Sequence, residues 1–512
     1  MRVHGWVVQQ TKQERSLKWL TRNHKSSRRA SRSRHMSPDA RIIGLSVAVQ
    51  QHTNVGLLGL CNFKDREMFD MHDMHVYCKC FLRHHFGDYL LCNLRNGATA
   101  LLRDAEDFLR PILTKEDFKT VTESLARKYN VSECEILNDM LEFYQNLANL
   151  GLIEIIEGES EEPQFKTKEI LQDKTSGMID KWSVPDFYKK HNLPVELHID
   201  LTDSCTERCV HCYVPQEQHY LRFDLVEKVL REFREQQGLT VQLSGGECLL
   251  YPQFAQVCRL CRKLDLNFIV LSNLTRCDEK IIEVLKETDP QFVNVSLYSM
   301  NAEEHDAITQ IRGSWRKTMA AIDACQQAGI HIRLATPLLK VNQNAYPALR
   351  NFAEERHVHL IPNYEIIPMC NRDCSNLCHT CTPQEMESVL KTDRQFWDCD
   401  TSNPRHPDGR VCVIGERLFL NAKGQYYGCS GMNEFVIGDA IRDTVSDVWN
   451  SDMMRWLRGL KNKDFKSCMN CEHSSFCKVC PAFNYNATGS LFETIPAKCA
   501  LAEVKHRVFG EK

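Results

Sequence analysis

The 512-residue chain has no apolar run of about 18 residues, the length a helix needs to cross a bilayer. It also lacks, at its beginning, the apolar stretch and small-residue cleavage site of a secretory signal. Its 25 cysteines are therefore not read as a secreted disulfide framework. In a reducing cytosol, cysteines at short spacings point to metal or iron–sulfur ligation. Beyond residue 36, bases are outnumbered by acids. The first 36 residues hold ten Lys/Arg and one acid, Glu14, which leaves 54 Lys/Arg against 66 Asp/Glu, a net of −12. An acidic body argues against an enzyme that holds nucleic acid by neutralising phosphates. Core-forming residues are plentiful at 43% hydrophobic, enough for two to four domains.

Residues 1–36 are basic and Ser-rich without apolar periodicity. They read as a disordered tail, or as an extension upstream of a start at Met36 or Met74, ahead of a nucleic-acid arm or targeting segment. The His/Met run Met68–His75 reads as a solvated loop before a metal site. From Val76 to Leu102 short apolar runs are broken by Gly87-Asp88 and Asn96-Gly97, both turn signals. Helical patterns follow, with Ile136, Met140, Tyr144 and Leu147 on one stripe. Leu150-Gly151-Leu152-Ile153 reads as a helix stop leading into a strand. An acidic linker, Glu157–Pro163, comes next.

Beyond the linker, strands and helices alternate. Candidate strands are Val195–Leu201, Val241–Ser244, Asn267–Asn273, Phe292–Tyr298, His331–Leu338 and Leu360–Ile367, with helical patterns such as Leu225–Gln236 and Trp315–Gln327 between them. Six β/α units make a parallel sheet, an α/β fold with ligands at the C-terminal strand ends.

Cys205-Thr206-Glu207-Arg208-Cys209-Val210-His211-Cys212 follows the first of these strands. Three thiolates in one loop can hold three irons of a cubane and leave the fourth open to a ligand, although the spacing alone also suits zinc. Gly245-Gly246-Glu247 ends the next apolar run. The two motifs together resemble the radical SAM enzymes. The resemblance implies a partial (β/α)6 barrel in which Cys205, Cys209 and Cys212 hold a [4Fe–4S] cluster. The open iron would chelate the amine and carboxylate of S-adenosylmethionine (SAM), with Glu247 of the Gly245-Gly246-Glu247 motif meeting the amine. His211 would lie near the adenine, and Asn273 and Ser296 close to SAM. One electron from the reduced cluster would cleave SAM to methionine and a 5′-deoxyadenosyl radical. The stretch Ser296-Leu297-Tyr298-Ser299 through His305-Asp306, Ile308-Thr309 and Gly313-Ser314-Trp315 resembles peptide-modifying members. Where that family usually has proline after Gly-Gly-Glu, this chain has Cys248, read as a small apolar filler ahead of a reactive thiol.

The C-terminal third carries Cys412-x16-Cys429, then Cys468-x2-Cys471-x5-Cys477-x2-Cys480, then Cys499. Alone, the CxxC pairs would suit structural zinc. The seven together resemble the auxiliary-cluster extension called SPASM. That resemblance implies one cluster on Cys468, Cys471, Cys477 and Cys499 and another on Cys412, Cys429 and Cys480. A further group, Cys370-x3-Cys374-x3-Cys378-x2-Cys381 with Cys399 beyond, lies outside the pattern. It could complete the three-cysteine site, bind another metal, serve substrate sulfur chemistry, or be spare thiols. Cys258, Cys261, Cys277 and Cys325 read as core.

The expected domains are a non-core extension (1–73), a winged-helix-like leader-peptide recognition domain (74–157), a linker (158–192), the radical SAM core (193–400) and the SPASM extension (401–512). The expected protein is a cytoplasmic peptide maturase. It would use SAM, a [4Fe–4S] cluster and one or two auxiliary [4Fe–4S] clusters on a ribosomally made precursor peptide. Its product would be a thioether or carbon–carbon crosslink, and its electron donor a protein such as ferredoxin or flavodoxin. No nucleic-acid or membrane partner is expected. An alternative is a sulfatase-maturase-like enzyme, disfavoured because Ser430, not an acid, follows Cys429. A zinc-bearing peptide scaffold leaves Gly245-Gly246-Glu247 unexplained.

Overall fold

The computed structural model describes residues 74–157, 183–392 and 406–510, apart from 78–79, 86–87, 94–96, 103–104 and 114–115. The basic tail, most of the His/Met run, the acidic linker beyond Glu157, and Cys399 lie outside these residues. The chain divides between His191 and Asn192 into two compact units.

In the first unit, Met74–Tyr77 (β1) pairs antiparallel with Glu154–Glu157 (β5). Cys80–His85 (β2), Asp88–Asn93 (β3) and Thr99–Leu102 (β4) form an antiparallel meander with β3 in the centre. A short helix, Arg110–Leu113, and two longer ones, Phe118–Tyr129 and Glu133–Asn149, follow. The Asp117 side chain caps the first longer helix, and Ser132 with Glu135 forms a reciprocal capping box on the second. Each such cap is worth about 1 kcal/mol. The stripe Ile136, Met140, Tyr144 and Leu147 is at most 2% exposed, and it closes a core with Leu91, Leu102, Phe108 and Leu125. Gly151, at φ 68°, ends the second longer helix where the sequence signals a stop.

The second unit is built on a nine-stranded sheet. Glu196–Thr202 (β6), Thr240–Gly245 (β7), Asn267–Ser272 (β8), Val293–Ser296 (β9), Ile332–Pro337 (β10) and His359–Asn363 (β11) run parallel in sequence order. These are the six strands expected, shifted by a residue or a few at their ends, and the α/β class stands. The helix Phe223–Glu235 shows why the units close: Val226, Val229, Leu230 and Phe233 recur at three- and four-residue steps, all fully buried. Burying each contributes about 1.5–3 kcal/mol.

One feature is absent from the sequence expectation. The sheet continues past β6 into Leu418–Leu420 (β12), which is parallel to it with Phe419 opposite His198. It then runs through the antiparallel strands Gln425–Tyr427 (β13) and Val436–Asp439 (β14). Leu418, Leu420, Tyr426 and Met432 share one core with Leu197, Leu243 and Phe268. The cysteine-rich extension is therefore an edge of the barrel sheet. Strands of three residues carry no readable period, and the local signal is the Asn421–Gly424 turn, with Gly424 at φ 80°. Among the described residues, no helix is long and apolar enough to cross a membrane.

Candidate functional site

The cysteine loop leaves the end of β6 and is seated by backbone contacts on both sides. Gly246 N donates to Thr202 O at 2.7 Å and Glu247 N to Ser204 O at 2.8 Å. Main chain lies directly on main chain there. A Cβ on Gly245, whose φ is 131°, would stand 2.0 Å from Thr202 O, and one on Gly246 would stand 2.3 Å from Ser204 O. On the other side, Arg208 N donates to Thr309 O and Val210 N to Ile308 O, both at 2.9 Å. The segment that supplies those carbonyls is shaped by Asp306, whose carboxylate accepts from Gly313 N, Ser314 Oγ and Trp315 N. This is the physical content of the pattern from His305 to Trp315.

Cys205, Cys209 and Cys212 are half-buried in this loop. Burial pushes the Cys205 thiol up to about 12, and the charges of Glu247, Glu207 and Cys212 add to the shift. Burial likewise raises Cys209, well above the usual thiol range, and Cys212. Three coupled thiols that resist ionisation alone become thiolates once a cationic centre offsets their charge. Thiolates about 2.3 Å from a tetrahedral zinc would stand about 3.8 Å apart. Among the described residues, no three cysteine sulfurs lie all within 4.8 Å of one another. Glu207 Oε1 and His211 Nδ1 are buried without a protein partner, which is the polar demand a bound cofactor meets. The residues present fit an iron–sulfur cluster and SAM.

Asn273 Nδ2 donates to Cys205 Sγ at 3.7 Å and to Thr206 Oγ1 at 3.0 Å. Ser296 ends β9, and its hydroxyl bonds the Tyr298 side chain. Burial, with the charge of His379, holds His211 down to about 4, so its ring is neutral. Glu247 lies just past the end of β7, beside the cysteine loop. It is fully buried, with Oε1 accepting from Ser272 Oγ (2.7 Å) and Leu249 N (3.0 Å) and Oε2 from Asn273 N (2.7 Å). Its carboxylate braces the ends of β7 and β8, and Oε2, with one protein donor, keeps acceptor capacity for an incoming amine. Cys248 is a filler: it is fully buried, its thiol turned to Leu271 O at 3.2 Å and raised well above the usual range by burial.

Sequence reasoning assigned no role to Tyr298. Its ring lies 5.1 Å from His211 and stacks on His305 at 5.1 Å, and its hydroxyl is 3.6 Å from Cys209 Sγ. Asn342 Nδ2 holds its carbonyl at 2.6 Å. The signal was present in the Ser296–Ser299 stretch. Asp203, Glu217 and His219 also gather within 4.8 Å. Lys423 Nζ already pairs Glu217 at 2.6 Å, so the group is an ion-pair network.

Charge coupling divides the C-terminal cysteines into two groups. Cys429 is pushed up to about 12 by burial and then by Cys480 and Cys412. Cys499 is raised by burial and then by Cys477 and Cys471. Cys468 lies on the short helix Lys466–Met469, just before Cys471. The Cys370–Cys381 group has no common centre. Cys370 is 1% exposed with its thiol toward Gly431 O, Cys381 turns to Leu338 O in a separate apolar cluster, and Cys378 is exposed. Cys258, Cys261 and Cys325 are fully buried in the core, as expected, and Cys277 packs against it.

Residues 199–353 match the family model of the radical SAM superfamily, and residues 412–472 match SPASM, an iron–sulfur cluster-binding domain. The chain is 24% identical over 338 residues to the AdoMet-dependent heme synthase of Methanosarcina barkeri, covering 60% of this chain and 96% of that protein. It is 27% identical over 307 residues to the antilisterial bacteriocin subtilosin biosynthesis protein AlbA of Bacillus subtilis, covering 57% and 68%. It is 30% identical over 263 residues to a GTP 3′,8-cyclase of Pseudomonas aeruginosa, covering 46% and 79%. The crystal structure of Streptococcus suis SuiB bound to precursor peptide SuiA has the same fold, at 16% identity and a TM-score of 0.52, over 83% of this chain and 99% of that one.

Proposed function

The chain belongs to the radical SAM superfamily, and from that premise we propose that it crosslinks a ribosomally made precursor peptide through sulfur–carbon or carbon–carbon bonds. Its cofactors are SAM and a [4Fe–4S] cluster, with auxiliary iron–sulfur clusters in the SPASM domain. When bound, these groups supply the electron that cleaves SAM and the radical that takes hydrogen from the substrate. The chain's own residues hold and shield that chemistry. Cys205, Cys209 and Cys212 present ligands from a loop fixed at four backbone bonds. His211, Tyr298 and His305 wall it with rings, and the neutral His211 Nδ1 is left to bond a polar ligand.

The observation that carries the reading is the combination in one chain of the Met74–Glu157 strand-and-helix unit with the core cysteine loop and the auxiliary cysteines. The named role of AlbA in subtilosin biosynthesis and the peptide bound to SuiB support it. An extended leader can add to the edge of the β2–β3–β4 meander. Each main-chain hydrogen bond nets about 1 kcal/mol, whereas micromolar binding needs about 8 kcal/mol, so side-chain anchors supply part of it. Holding the leader raises the local concentration of the core segment, and weak contacts at the reacting carbon then suffice.

The test takes, as substrate, a precursor encoded by any short cysteine-rich reading frame found beside this gene, incubated anaerobically with enzyme, SAM and dithionite. Mass spectrometry should show two hydrogens lost per crosslink. Leader-free core modified as fast as the full precursor at low micromolar concentration would remove the tethering role. In the same assay, a Cys468→Ala/Cys471→Ala variant should still form some 5′-deoxyadenosine but no crosslink. Full modification with that auxiliary cluster absent would reduce it to a structural part.

A further inference from the structure

Lys498 stands one residue before Cys499 on the helix Pro496–Phe509, and its side chain is only 7% exposed. Its Nζ donates to Glu365 Oε2 at 2.5 Å. It also lies 5.5 Å from the ring centroid of Phe483, whose backbone N–H donates to Cys480 Sγ at 3.4 Å. The ammonium is charge-coupled to Cys480 and to Cys477, which belong to different cysteine groups, and to Cys499 as well. For Cys480 it is the strongest charge in its surroundings. A buried ammonium persists only if it is paired, and the partner here is the Glu365 carboxylate, which is 30% exposed. The carboxylate therefore reaches solvent in part, while the ammonium is enclosed beside Phe483, on the helix that carries Cys499.

The geometry points to Lys498 as a fixed positive charge shared by the two auxiliary clusters, raising the reduction potential of both. This rests on the reading that the two cysteine groups hold iron–sulfur clusters. A cluster gains negative charge on reduction, and a nearby cation stabilises the reduced form more than the oxidised one. Water screens this little at a buried site, so the bias survives in salt. Glu365 works in the opposite direction by partly cancelling the cation.

The test is a redox titration of the anaerobically reconstituted full-length enzyme, followed by electron paramagnetic resonance, with iron and labile sulfide counted for each variant. Cys412→Ala/Cys429→Ala and Cys468→Ala/Cys471→Ala assign the two auxiliary signals. Lys498→Met should shift both auxiliary potentials negative, and by more than any change in the SAM-cleaving cluster. Lys498→Arg should restore them. Glu365→Gln should shift both positive, and this decides the matter if Lys498→Met fails to hold its clusters. Clusters present but unmoved in Lys498→Met and Glu365→Gln, or only one of the two moved, would overturn the inference alone. A wild-type enzyme without auxiliary signals would overturn it together with the cluster reading.

Discussion

Replacing Cys205, Cys209 and Cys212 together with alanine should reduce 5′-deoxyadenosine formation under strong reductant to background. These thiols lie in a loop seated by backbone contacts to Thr202, Ser204, Ile308 and Thr309, none of which involves a cysteine side chain. The sulfurs are half-buried and outside the main apolar core. The variant should therefore stay folded and retain iron in the SPASM domain. Chromatography of the nucleoside product, beside iron counts and circular dichroism, checks both halves. Normal SAM cleavage by this variant would refute the ligand assignment.

The second large effect is expected from one added methyl group. In Gly245→Ala the new Cβ would meet Thr202 O at 2.0 Å, and in Gly246→Ala it would meet Ser204 O at 2.3 Å. Both obstacles are backbone and cannot swing aside as a flexible side chain would. Gly245 adds a φ of 131°, outside the range other residues adopt without strain of about 1–3 kcal/mol. The cysteine loop must lift from β7. Each variant should lose core-cluster iron and SAM cleavage, and its Tm should fall by several degrees. Gly459→Ala is the control, because nothing lies within 4 Å of a Cβ there; its Tm and iron content should match wild type. Full core-cluster occupancy in Gly246→Ala would show that close main-chain contact is dispensable.

Much of this was legible in the sequence for identifiable reasons. Buried parallel strands read as apolar runs, so Asn267–Ser272 and its neighbours stand out, and the capped, striped helix Glu133–Asn149 announces both of its ends. The core cysteines and the glycine pair are adjacent in sequence and so form visible motifs. What stayed hidden depends on contacts between distant residues. The inward turn of Glu247 depends on Ser272 and Asn273, far along the chain, and no local pattern shows which way a carboxylate points. β12 and β13 are too short to have a period, so their continuation of the barrel sheet was unreadable. Lys498 looks like any helix lysine until Glu365, Cys477 and Cys480 are brought around it. The scattering of Cys370, Cys374, Cys378 and Cys381 is the converse case. There a regular spacing belongs to residues that face different surroundings.

On this reading the chain's clustered cysteines hold iron–sulfur clusters in both the core loop and the extension. Iron, acid-labile sulfide and zinc measured in anaerobically purified protein test it most directly. Iron and sulfide should be present in equal amounts, above one cubane per chain, with Cys205→Ala/Cys209→Ala/Cys212→Ala removing one cubane's share and leaving the rest. Stoichiometric zinc with no labile sulfide would contradict it.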